Sequence, residues 1–133
     1  MAFPVIDGMR AIEFGTPGVM RRRLVGFVVN GNKRAAAGLF AEYEDEGEPI
    51  ERVGERLVVV DDDGHRVAIV SVTKVVVSRF ADVPDEFAIA EAEGDLNAAD
   101  FRASHTDFWA SEGAAVDDDT LVVQVYFDLL PNE

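Results

Sequence analysis

Two β-branched runs flank a single turn signal near the middle of the chain, and this pairing constrains the fold more than any other feature. Arg56-Leu57-Val58-Val59-Val60 and Arg66-Val67-Ala68-Ile69-Val70-Ser71-Val72-Thr73-Lys74-Val75-Val76-Val77 lie on either side of Asp61-Asp62-Asp63-Gly64. Branching at Cβ suits a pleated surface better than a helix, and Asp-Gly between two such runs predicts a β-hairpin. A third run, Leu121-Val122-Val123-Gln124-Val125-Tyr126-Phe127, is apolar almost throughout and predicts an interior strand. The aspartate triplet starts like a calcium loop, but the spaced oxygen ligands and closing glutamate of an EF-hand are missing. Neither a metal nor another cofactor is expected.

Helical signals fall between the strands. Thr16 as N-cap, Pro17 at the first helical position and Gly31 past the end predict a helix over residues 18–30. Met20, Leu24, Phe27 and Val28 form its apolar stripe, and Arg21 and Arg22 fall off that stripe, towards solvent or a ligand. Residues 39–46 predict a short amphipathic helix with Leu39, Phe40 and Tyr43 on one side, ended by Gly47 and Pro49. Residues 87–93 read as a helix after Pro84-Asp85, and Asn97 with Asp100 opens a longer one. On that last helix Phe101, His105, Phe108 and Trp109 share a face, so His105 points inward as a core histidine. Between the first helix and the next, Asn32-Lys33-Arg34-Ala35-Ala36-Ala37-Gly38 has too little bulk to build core and leaves room for a ligand against its backbone. Strands with helices inserted between them predict an α+β fold dominated by a curved or closed sheet.

Composition narrows the function classes. The 133 residues match one domain, here expected to span residues 1–133. No run approaches the roughly 20 apolar residues that cross a bilayer, and residues 1–7 lack a basic, apolar leader. The cytoplasm is therefore the expected location, with no membrane partner. The absence of cysteine excludes a disulfide framework, a thiol nucleophile and the commonest zinc sites. A net charge of −14 opposes tight, non-specific binding to long duplex nucleic acid. The charge is uneven: residues 1–40 carry six Lys or Arg against two acids, whereas residues 41–133 carry six against twenty-four.

A set of motifs in fixed order points further. Gly31-Asn32-Lys33 follows the first helix; Glu42-Tyr43-Glu44 precedes Gly47-Glu48-Pro49; Phe80-Ala81-Asp82-Val83 leads into Phe87-Ala88-Ile89-Ala90-Glu91-Ala92-Glu93-Gly94-Asp95. Phe101-Arg102-Ala103-Ser104-His105 and Phe108-Trp109 come next. From about residue 14 to residue 127 this order resembles the ASCH domain family, whose barrel is similar to that of the PUA RNA-binding domains. The resemblance implies a PUA-like β-barrel with helices inserted around it, and a cleft bordered by residues 31–38 and 91–95. It also implies an association with RNA. Some family members are amidohydrolases that remove the acetyl group from acetylated cytidine with a Lys, a Thr and a Glu. Lys33 and Glu93 fall on the lysine and glutamate positions, but the threonine position is Ala36, and Arg34 stands where threonine is common.

Three functions stay open on this reading. A binding module would take single-stranded RNA or a modified nucleoside, with Lys33, Arg34, Tyr43, Glu91, Glu93, Asp95 and Arg102 as ligand-binding residues. An enzyme, either an acetylcytidine-type amidohydrolase or an RNA hydrolase, would use Lys33 and Glu93, with Ser71, Thr73 or a water replacing the missing hydroxyl. An acidic protein-interaction domain would meet a basic partner. Each candidate also has a structural reading: Arg34 can pair with a surface acid, Arg102 can salt-bridge the acidic turn, Tyr43 and Trp109 can pack in the core, and Asp95 can support the chain before Asn97.

Overall fold

The hairpin forms the centre of a six-stranded mixed sheet in a computed structural model that describes residues 4–131. In chain order the elements are β1 (Val5–Ile6), β2 (Met9–Ile12), α1 (Val19–Val29), β3 (Ala35–Leu39), α2 (Phe40–Glu46), β4 (Arg56–Val60), β5 (Arg66–Arg79), α3 (Asp85–Glu91), α4 (Ala98–Ser111) and β6 (Leu121–Leu129). The strand order is β1-β2-β4-β5-β6-β3, antiparallel except where β2 meets β4. β5 is the longest strand, and a register shift between Val72 and Lys74 bends it where it pairs with β6.

β6 is interior, between β5 and β3, and its composition follows from that place. Val123, Val125 and Phe127 pack on one face with Leu57, Val59, Val70, Val72 and residues of α1. Val122, on the other face, joins an aromatic cluster of Phe80, Phe87, Phe101 and Trp109, with Tyr126 packed against it. A strand covered on both sides has no solvent face and reads as a continuous apolar run.

β2 and β3 are not ladder neighbours, yet Ile12, Ala36 and Gly38 line one cavity. The sheet therefore coils on itself into the α+β, PUA-like barrel that the sequence led us to expect, with a seam between β2 and β3. Among the described residues no helix is long and apolar enough to cross a membrane.

Local chemistry moved three expectations. α1 starts later than a Thr16 cap implies: the N-cap is Gly18 (φ 106°, ψ −142°), whose N–H donates to Asp62 Oδ1 (2.9 Å), while Thr16 contributes its carbonyl to Arg21 N–H. Of the two arginines expected to face solvent or a ligand, Arg21 does not. Arg21 is buried and donates to the carbonyls of Phe14 and Gly15, Arg22 pairs with Asp62 (2.8 Å), and Arg23 lies over the Phe27 ring. Finally, part of the small-residue segment does build core. Ala35 is buried and stands opposite Tyr126, where its small side chain lets the aromatic cluster close over β3.

The capping prediction at α4 holds: Asn97 accepts from Asp100 N–H (2.9 Å), and Asp100 accepts in return from Leu96 N–H (3.0 Å). α3 lies two residues earlier than expected, starting at Asp85 and ending at Glu91 because Ala92 adopts a left-handed conformation (φ 54°), which carries Glu93 out of the helix. Gly18 occupies backbone space that only glycine adopts without strain, with no atoms near a Cβ to confuse the result. Gly18→Ala should cost about 1–3 kcal/mol of stability; an unchanged thermal unfolding midpoint would contradict that assignment.

Candidate functional site

Lys33 is drawn inward by the way α1 ends. Gly31, with φ 86°, reverses the chain, and Lys33 N–H donates back to the Phe27 carbonyl (2.9 Å). The Lys33 side chain is fully buried, and its Nζ meets the Ala35 carbonyl at 2.8 Å, the Glu91 carbonyl at 3.0 Å and Glu93 Oε2 at 2.6 Å. Three acceptors match the three donors of an ammonium group. The Glu91 carbonyl belongs to the last turn of α3, whose final carbonyls lack helical partners, so the cation also caps that helix. Phe14 adds a ring face 5.5 Å from Nζ.

Glu91 lies beside this ion pair and is 1 % exposed. Its Oε1 is 3.2 Å from His105 Nε2, an ion-pair distance, although the alignment leaves Oε1 without a well-formed hydrogen bond. Burial pushes the Glu91 carboxyl up; His105 and Lys33 oppose the rise, and Glu93 adds to it. His105 Nδ1 is 3.0 Å from the Phe101 carbonyl, which can only accept, so Nδ1 carries a proton and Nε2 is the nitrogen that titrates. Burial lowers the His105 pKa, but the contact with Glu91 outweighs it and the net shift is upward. Both groups are thus shifted towards their protonated forms. Phe101 stacks on the imidazole (4.0 Å between centroids) and Trp109 meets it edge-on.

These groups line one lobe of a cleft at the barrel seam. The lobe, about 180 Å³, has Lys33, Glu91, Glu93 and His105 as its polar wall and Phe14, Phe108 and Trp109 among its apolar residues. A second lobe of about 270 Å³ lies against Ile12, Glu42, Tyr43, Glu51 and Val125. Glu13, Ala36 and Ala37 line both, so the two are continuous.

The predicted site residues separate on this geometry. Lys33, Glu91 and Glu93 come together. Tyr43 borders the second lobe, where its hydroxyl donates to Glu51 (2.8 Å) and its pKa is driven up, first by burial and then by Glu51. Asp95 stands behind the pocket, accepting from Ser104 Oγ (3.0 Å) and 4.0 Å from His105 Nδ1. Arg34 is turned to the exposed surface and paired with Asp128 (2.5 Å). Arg102 borders a separate shallow hollow with Asp117 and Asp118, and forms no ion pair among the described residues. Ala36 lines both lobes without a hydroxyl; Ser104 lines the first lobe, but its hydroxyl is engaged by Asp95, and Ser71 and Thr73 border neither lobe. His105 was missing from the predicted set. Its place on the aromatic face of α4 signalled burial correctly, but not that the ring would meet a carboxylate.

Carboxylate and imidazole atoms of Glu91, Glu93 and His105 lie within 4.8 Å of one another, close enough to hold a cation. Lys33 Nζ already sits on Glu93, so the resident positive charge is the ammonium, and a divalent ion would have to displace it. At the hairpin turn, Asp61, Asp63 and His65 form a more exposed group, whose Asp61 Oδ1 is occupied by the N–H groups of Asp63 and His65.

The barrel with this seam defines a PUA-like protein. More narrowly, the ASCH domain family model matches residues 10–131, and the chain belongs to that family. The crystal structure of an ASCH domain from Lactobacillus crispatus JV V101 is similar at a TM-score of 0.77 and 28% identity, over 90% of this chain and 77% of that one. A protein from Enterococcus faecalis V583 gives a TM-score of 0.77 and 27% identity, over 89% and 74% of the two chains. No curated protein is significantly similar to the chain.

The His105–Glu91 contact sets a pH dependence. A raised folded-state pKa means that His105 adds stability in full below its ordinary value of 6.5, and that this is lost as the pH rises through the folded value. Glu91, also raised, acts in the same sense from its ordinary 4.5 upward. NMR titration of the His105 ring should give a midpoint above 6.5 that falls in Glu91→Gln. A wild-type midpoint at or below 6.5 contradicts the pairing.

Proposed function

We propose that this ASCH domain binds a nucleoside, or a single unpaired RNA base, in the two-lobed cleft at the barrel seam. The observation that carries the reading is the buried Lys33–Glu93 pair (2.6 Å) set opposite an aromatic wall. A flat ring finds apolar faces to lie against and fixed polar groups at its edge, the combination by which small planar ligands are oriented. Each lobe is smaller than the roughly 300–1,000 Å³ of pockets for drug-sized molecules, which suits one base better than a strand.

Phosphate recognition plays a minor part in this account. Arg22 and Arg34 are committed to Asp62 and Asp128, the three Lys33 donors are occupied, and the chain carries a net −14. Affinity should therefore change little with salt, unlike binding driven by counterion release.

A second reading, hydrolysis of an acetylated exocyclic amine, is favoured by the same short contact, since an ammonium against a carboxylate is a geometry for proton transfer. Glu93 would take a proton from water as its oxygen adds to the acetyl carbon, then pass that proton to the leaving amine as the C–N bond breaks, giving acetate and the free amine. Binding is the stronger reading, because Ala36 supplies no hydroxyl at the third position and the Lys33 ammonium is fully engaged.

Trp109, the only tryptophan, lines the first lobe and reports on it directly. Cytidine, acetylcytidine and a short single-stranded RNA should each change its fluorescence saturably, whereas duplex RNA should not. Loss of a hydrogen bond to a charged group is worth about 1.5–3 kcal/mol, so Glu93→Gln should weaken nucleoside binding roughly 10- to 100-fold. Equal affinity in wild type and Glu93→Gln would remove the assigned site, and stoichiometric release of acetate from acetylcytidine would establish the hydrolase instead.

A further inference from the structure

β3 ends the hydrogen-bonded ladder, so part of its backbone has no strand to pair with. The register identifies which part. Phe127 N–H donates to the Arg34 carbonyl (2.9 Å), and the same register sets Ala36 opposite Val125 and Gly38 opposite Val123. Hydrogen-bonded and non-hydrogen-bonded pairs alternate along an antiparallel ladder. Arg34, Ala36 and Gly38 therefore turn towards β6, whereas Ala35 and Ala37 turn away from it.

The other side of β6 gives the same answer. Phe80 N–H donates to the Thr120 carbonyl (2.7 Å) in the register that pairs Val122 with Ser78 and Gln124 with Val76. Those β6 residues face β5, which leaves Val123, Val125 and Phe127 for β3. Lys33 confirms the outward direction, because its Nζ takes the Ala35 carbonyl (2.8 Å). Next along this free edge comes Ala37, which lines both lobes. Among the described residues nothing is bonded to its N–H or its C=O.

An adjacent donor and acceptor on a strand edge form a hydrogen-bonding face that persists through every substitution except proline, which removes the N–H. The small side chains of Ala36, Ala37 and Gly38 keep it approachable, and a methyl group at Gly38 would already reach van der Waals contact with the Tyr43 ring (3.4 Å). We propose that the Ala37 main chain reads the edge of the bound ring, its N–H donating to a ring acceptor and its C=O accepting from the neighbouring N–H. The ligand class is a six-membered heterocycle in which a ring nitrogen adjoins an amine, as in cytosine. This assignment rests on the nucleoside-binding reading, and it explains how recognition survives where the threonine position is Ala36. Ala37 is a specificity-determining position through its backbone, beside the ion pair that closes the lobe.

Ala37→Pro replaces the outward N–H with a ring carbon, and proline is accepted at edge positions that do not donate to the ladder. 3-Deazacytidine deletes the matching ring acceptor. In wild type, 3-deazacytidine should bind at least about tenfold more weakly than cytidine, and in Ala37→Pro the two should bind equally, because the same hydrogen bond is lost either way. Ala37→Ser, which keeps the N–H, should retain the preference. A folded Ala37→Pro that prefers cytidine as wild type does overturns the assignment. Should Ala37→Pro not fold, the wild-type comparison decides alone, and equal affinities for the two nucleosides overturn it. Wild type that binds neither nucleoside removes the nucleoside reading itself, and this assignment with it.

Discussion

The Lys33 ammonium holds the site together, and its burial dictates much of what surrounds it. An ion withdrawn from water loses several kcal/mol of hydration that only well-placed partners offset. Here the partners come from three elements: the Ala35 carbonyl on β3, the Glu91 carbonyl at the end of α3, and the Glu93 carboxylate in the turn beyond. One side chain thereby fixes the acidic turn against the free edge of the sheet. The Arg34 N–H to Ala90 carbonyl bond (2.8 Å) ties the same two segments through the backbone.

The charges inside the site nearly balance, although the surface is strongly acidic. Lys33 offsets Glu93, and the His105 imidazole stands against Glu91. Such an interior carries no excess positive charge with which to attract phosphate. It does offer oriented acceptors, an aromatic wall and an unpaired strand edge, which together suit an uncharged, planar, hydrogen-bonding ring. The proposed nucleoside site would thus need no basic surface of the kind a general nucleic-acid binder carries, in keeping with a net charge of −14.

What was legible in the sequence was what depends on local pattern. The hairpin, the two-sided burial of β6 and the Asn97 cap follow from branching, apolar continuity and side-chain capping, all properties of near neighbours. The Thr16 cap failed because Asp62, distant in sequence, offered the Gly18 N–H a better-placed acceptor. β3 was hidden because alanine and glycine have little strand preference, and the long-range register with β6 decides their conformation. Lys33 and Glu93 were found from motif order alone; the identity of the Lys33 acceptors could not be, since two of them are backbone carbonyls. Arg34 looked like Lys33 in composition, and only their long-range partners, Glu93 for the buried cation and Asp128 for the exposed one, tell them apart.

Mapping amide chemical shifts in two-dimensional NMR while cytidine is added tests the central claim most directly. The account predicts shifts concentrated at Phe14, Ala36, Ala37, Glu93 and His105, with the Ala37 amide moving downfield as it gains an acceptor. Shifts that instead gather on the exposed Arg22 and Arg23 face of α1, or no saturable shifts at all, would contradict it.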